Sequence, residues 1–200
     1  MKPINLSLCC LLLVAFVPFT TVVAQPNPGL AGQWRINTSQ SDDTDDEVEK
    51  ALKASGSKVE TKWFDRRKEK YRGGPADQEL YDRFSYDPVL TITPQGDNYV
   101  FEYADNFKSV VYTDNRSHTV SLNALDAAED FLEGQWKDGK LLVEMHPRDG
   151  GHVYVTYTLI DVSKGRGKDK TSKRLQASFI IKPGTFMDEF KLKRVYDRQP

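Results

Sequence analysis

The stretch from Phe131 to Ile160, FLEGQWKDGKLLVEMHPRDGGHVYVTYTLI, constrains the fold more than any other part of this 200-residue chain. Leu141, Val143 and Met145 alternate with Leu142, Glu144 and His146, a period of two that suits a strand and not a helix. Val153, Val155, Tyr157 and Leu159 alternate in the same way with Tyr154, Thr156 and Thr158, and are rich in β-branched and aromatic types. Asp138-Gly139 tolerates the positive φ of a tight hairpin turn, and Pro147 to Gly151 forms a longer loop. The segment predicts a three-stranded antiparallel meander.

The remaining chain supplies partners for it. Ala31 to Asn37 reads as a first strand with Trp34 and Ile36 on one face. Ser41-Asp42-Asp43-Thr44 offers an N-cap, and Asp45, Asp46 and Glu47 place negative charge in the first turn of a helix reaching about Ala54. The same acidic run lacks the ligand spacing and central glycine of a calcium loop. Residues 53–87 are highly charged, broken by Ser55-Gly56-Ser57 and Gly73-Gly74-Pro75, and read as the most mobile mature segment, with a second helix over 76–84. Strands then follow over 89–93, 98–103, 109–112 and 118–122, and over 175–182 and 186–196 at the end. Ser163 to Arg174, without the glycine–lysine order of a phosphate loop, reads as a solvated hairpin loop. Nine or ten short strands at this spacing predict a mainly β barrel or sandwich with a small helical insertion over 44–87.

The first 24 residues carry Lys2, an apolar run from Leu8 to Val17, and Val22-Val23-Ala24, the pattern of a secretory signal cleaved before Gln25. Pro18, Thr20 and Thr21 weaken the rival reading, an uncleaved anchor. One domain over 25–200 remains, and both cysteines, Cys9 and Cys10, leave with the signal. Thiolate chemistry and disulfides are therefore excluded from the mature chain, and a periplasmic or secreted location is expected. Without Lys2 the Lys+Arg total falls from 28 to 27 against 29 Asp+Glu, which gives no pull towards nucleic acid or an anionic membrane.

Both ends and the central hairpin then carry a resemblance. Gly32-Gln33-Trp34-Arg35-Ile36-Asn37, Ser41-Asp42-Asp43, the hairpin Trp136 to Glu144 and Arg194-Val195-Tyr196-Asp197 resemble small exported bacterial proteins with a lipocalin-like β-barrel. The resemblance implies an antiparallel lipocalin-like barrel in the periplasm and no particular activity; residues 53–87 lie outside it. Such barrels close first strand to last, so Arg194 is expected to stack on Trp34.

No nucleophile elbow, zinc motif or dinucleotide fingerprint occurs, so no catalytic residue, metal or cofactor is expected and an enzyme is not. His146 and His152 flank one hairpin loop with Asp149 between them, but wet strand ends explain them without a metal. Two functions remain open. In the first, the barrel holds a small apolar ligand or lipid, contacted by Trp63, Phe64, Tyr99, Phe101 and Tyr154. In the second, aromatics including Phe179, Phe186 and Phe190 fill the interior, and the outer surface serves an envelope protein.

Overall fold

The computed structural model describes residues 28–55, 88–104, 108–121, 129–147, 150–163, 171–184 and 188–200. After a 3-10 turn at Pro28–Leu30, β1 (Gly32–Ile36) leads into α1 (Thr44–Ala54). Nine further strands follow: β2 (Val89–Gln95), β3 (Asn98–Tyr103), β4 (Lys108–Val111), β5 (Ser117–Ser121), β6 (Glu129–Lys137), β7 (Lys140–His146), β8 (His152–Ser163), β9 (Thr171–Lys182) and β10 (Phe190–Arg198).

All ten strands form one antiparallel sheet in the order β4-β3-β2-β1-β10-β9-β8-β7-β6-β5. This is a meander wound past its own start, with β10 paired to β1. The outermost strands, β4 and β5, are consecutive in the chain and separated only by residues 112–116, so the two edges of the sheet must meet. The sheet is thus an up-and-down barrel, the lipocalin-like class the sequence implied, with ten strands. At the seam Asn115 N–H donates to Gly134 O at 3.1 Å, and Tyr99 on β3 meets Trp136 on β6 edge to face, with centroids 5.8 Å apart. Gly134 makes this closure possible: a Cβ there would collide with the Tyr112 carbonyl oxygen and lie 2.8 Å from Val111 Cγ1.

The predicted elements stand with shifted ends. Asp138 and Gly139 both take positive φ, 50° and 72°, in the two-residue turn between β6 and β7. Asp43 is the N-cap of α1, its carboxylate accepting from Asp46 N–H at 3.0 Å. The last strand begins at Phe190, later than expected, and reaches Arg198. Part of the expected 163–174 loop is strand: Thr171 to Arg174 pair with Ser163 to Ile160, because backbone pairing continues past the point where side chains become polar. Residues 56–87, including Trp63 and Phe64, lie outside the described residues, as do Asp149, Phe186 and the signal segment.

The end motifs form one lock. Asn37 Nδ2 donates to the Asp197 carboxylate at 2.8 Å, Val195 N–H donates to Ser41 Oγ at 2.9 Å, and Lys193 N–H donates to the Asp42 carboxylate at 2.8 Å. These bonds carry the β1–β10 pairing onwards to the start of α1, which lies against β10. The motif residues at the two chain ends therefore hold the barrel shut.

The expected partner of Trp34 is corrected. Arg198, directly opposite Trp34 in the β1–β10 register, places its guanidinium 5.2 Å from the ring centroid. Arg194 lies four residues, two strand repeats, earlier on β10; it is buried and donates to Asp42 O and Thr44 Oγ1. Both arginines share the inward parity of β10, and the offset between strands decides which one reaches the indole.

Candidate functional site

The inner face is set by strand parity. Leu141, Val143, Val153, Val155 and Tyr157 of the central meander point inward with Leu175, Ala177, Phe179 and Ile181 of β9, and all are buried. Register aligns Trp136, Leu141, Tyr157, Ala177 and Arg194 in a single inward row across five strands. Ala177, the smallest side chain in that row, stands between Tyr157 and Arg194.

This row carries several of the polar groups of a largely apolar interior. Tyr157 meets Phe101 from the opposite wall at 5.0 Å between centroids and is hydrogen-bonded to the Tyr103 hydroxyl. Burial pushes the Tyr157 hydroxyl well above its ordinary pKa, and the neighbouring Tyr103 and Tyr196 add to the shift. Burial also raises Tyr99. Trp136 Nε1 is buried and finds no hydrogen-bond partner among the described residues. Arg194, 3% exposed, is the buried cation among them. A solid core has no need of such groups, since burying a charge or an unpaired donor costs several kcal/mol on the order of its lost hydration.

The structure divides the aromatics expected to contact a ligand. Tyr99 and Phe101 face the lumen together, at 3% and 1% exposure. Tyr154 lies on the outer face, 43% exposed, so it does not join them. The reason is parity: Tyr154 alternates with the inward residues Val153 and Val155. Its hydroxyl pKa is raised by the neighbouring Glu144 carboxylate, to which it is hydrogen-bonded. Sequence reasoning passed over Tyr157, Trp136 and the inward role of Arg194; the alternation that makes Val155 a core residue already aims Tyr157 inward.

A second group sits on the outer face at the end of β7 and β8. His146 and His152 are edge-to-face with centroids 4.6 Å apart, and His146 Nε2 lies 2.8 Å from Glu144 Oε1. One donor atom each from Glu144, His146 and His152 falls within 4.8 Å of the other two. The carboxylate beside the histidine pair thus comes from the strand, at Glu144. On β5, opposite Leu132 and two strands from β7, His118 bonds the Asp114 carboxylate at 2.9 Å, which holds that carboxyl below its usual range, and stacks on Tyr112 at 3.9 Å. Among the described residues no helix is long and apolar enough to cross a membrane, a statement that does not extend to strands.

No protein-family model matches the sequence, and no curated protein does. Solved structures do. Apo lipid binding protein 8 from Caenorhabditis elegans is similar at 12% identity and a TM-score of 0.49, over 88% of this chain and 100% of that one. Secretory abundant heat soluble protein 4 from Ramazzottius varieornatus is similar at 15% identity and a TM-score of 0.47, over 88% of this chain and 99% of its own. The barrel assignment rests on the strand order described above.

Proposed function

We propose that this protein is an exported binder of a small, mostly apolar molecule bearing an acidic group, held inside the barrel, and that its role is binding and not catalysis. The observation that carries the reading is the inward row from the partly buried Trp136 through the buried Tyr157 to the buried Arg194, set among apolar walls. Aliphatic side chains take an alkyl body, and the buried Arg194 guanidinium, held at Asp42 O and Thr44 Oγ1, supplies a positive charge that complements a carboxylate. The Tyr157 hydroxyl and the Trp136 N–H add donors in the same row. Export is supported by Lys2, the apolar run from Leu8 to Val17 and the Val22-Val23-Ala24 ending; N-terminal sequencing of the secreted product, expected to begin at Gln25, tests that part.

One observation favours a second reading. The Phe101–Tyr157 contact spans the lumen, and Val153, Ile181 and Leu192 are at most 2% exposed, as in a barrel filled by its own side chains. On that reading the outer surface serves an envelope protein. Native mass spectrometry of protein purified from its source separates the two. A co-purified acid of stoichiometric amount supports the binder. A bare chain that also fails to take up added long-chain acids supports the packed module.

A further inference from the structure

We propose that Glu144, His146 and His152 form a surface site for a divalent transition metal of the zinc class, on the outer face of the barrel where β7 turns into β8. The site lies on the opposite side of the sheet from the lumen and does not depend on what the lumen holds.

Three features of the geometry lead there. The Glu144-x-His146 spacing puts both donors on one face of β7, since successive side chains alternate. Met145 pairs with Val153, so His146 and His152 occupy the next facing position of the same antiparallel pair. The inward neighbours Val143, Val153 and Val155 are buried at 4%, 0% and 1%, which fixes the two backbones that carry the donors. Two imidazoles and one carboxylate make a donor set that suits zinc and its neighbours, and three protein ligands leave room for water.

The contacts among the three residues do not use up their donors. A hydrogen bond between His146 Nε2 and Glu144 Oε1 explains those two residues without an ion. It leaves His152 unexplained, because its Nδ1 is buried and has no hydrogen-bond partner. Donor atoms now within 4.8 Å of one another must come to about 3.4 Å to share a zinc ion in tetrahedral geometry. Side-chain rotation on a fixed strand pair covers that difference. The surroundings favour it: the Tyr154 hydroxyl bonds Glu144, and the Tyr154 ring lies parallel to His152 at 6.4 Å. Phe131, opposite His146, and Ile180, opposite Tyr154, are with Tyr154 the exposed large hydrophobics of the described residues, and they flank the site. An apolar border strengthens metal–ligand electrostatics by excluding water.

Calorimetric titration of ZnCl2 into the full chain tests the proposal, with Cys9→Ser and Cys10→Ser in every sample so that thiols do not compete. The expected result is one saturable event, weakened at least about tenfold by His146→Ala, by His152→Ala and by the near-isosteric Glu144→Gln. His118→Ala, on β5 two strands away and on the inward parity of its partner Leu132, should leave it unchanged. Circular dichroism of each variant checks that the fold persists, and His152→Asn replaces His152→Ala should the latter unfold. Absence of saturable binding up to roughly 1 mM zinc overturns the site. So does equal affinity in the His118, His146 and His152 variants.

Discussion

The Arg198 guanidinium lies 5.2 Å over the Trp34 ring and joins the last strand to the first. The same side chain donates to Ala31 O at 2.7 Å and Gly29 O at 3.3 Å, while the indole N–H of Trp34 donates to Leu30 O at 3.0 Å. One cation thus stacks on the buried indole and ties down the 3-10 turn that covers this end of the barrel. Arg194, four residues earlier, is buried and serves the start of α1 instead.

The two arginines should therefore differ in effect. Arg198→Ala should cost about 1 kcal/mol, the scale of a partly exposed cation–π contact with its hydrogen bonds. Arg198→Lys should lose part of that, because an ammonium cannot stack as a planar fork does. Arg194→Ala should cost about 3 kcal/mol, since it strands a buried carbonyl and hydroxyl. Denaturant melts of the three variants check the order; an Arg198 variant weaker than the Arg194 variant would reverse the assignment.

Gly134 is the second stability test. Any Cβ there meets the Tyr112 carbonyl oxygen, a backbone atom that cannot rotate away. Gly134→Ala should destabilise by roughly 2–3 kcal/mol through forced separation at the seam between β4 and β6. A crystal structure of the variant should show that seam widened. An unchanged melting temperature would mean that the barrel is not closed there.

Alkaline pH should reveal Tyr157. Its folded-state pKa stands well above the ordinary value because the hydroxyl is buried beside Tyr103 and Tyr196. The unfolded chain releases that proton first, near pH 10, so stability is intact below about pH 10 and falls as pH rises towards the folded pKa. Tyr157→Phe should flatten the fall. Melting curves of both proteins between pH 8 and pH 11 measure it, and parallel curves would count against a buried phenol.

Alternation along the strands made the fold legible. It gave the meander from Phe131 to Ile160, the Asp138-Gly139 turn and, through the cluster Ser41-Asp42-Asp43, the start of α1. Register was not legible, because a two-residue slip preserves every inward side chain while changing its partner. Arg194 and Arg198, four residues apart, therefore share the inward face, and alternation alone does not tell which of them stands opposite Trp34. Side chains of the first end motifs bond the last strand: Asn37 donates to the Asp197 carboxylate, while Ser41 and Asp42 accept from the Val195 and Lys193 backbone N–H groups. Such residues specify closure and say little about a ligand. The polar row of the lumen is assembled from β6, β8 and β10, far apart in the chain, and only the strand order brings it together. Tyr154 shows the opposite failing: aromatic character suggested a ligand contact, and parity places it outside.

The central claim is that the row from Trp136 to Arg194 receives an acidic head while the aliphatic walls receive its tail. The direct measurement is tryptophan fluorescence during titration with oleic acid and, separately, with the alcohol of the same chain. The account predicts saturable binding of the acid, at least about tenfold weaker binding of the alcohol, and loss of that preference in a folded Arg194→Met or Tyr157→Phe protein. Equal binding of acid and alcohol by the wild type, or no saturable binding of either, would contradict it.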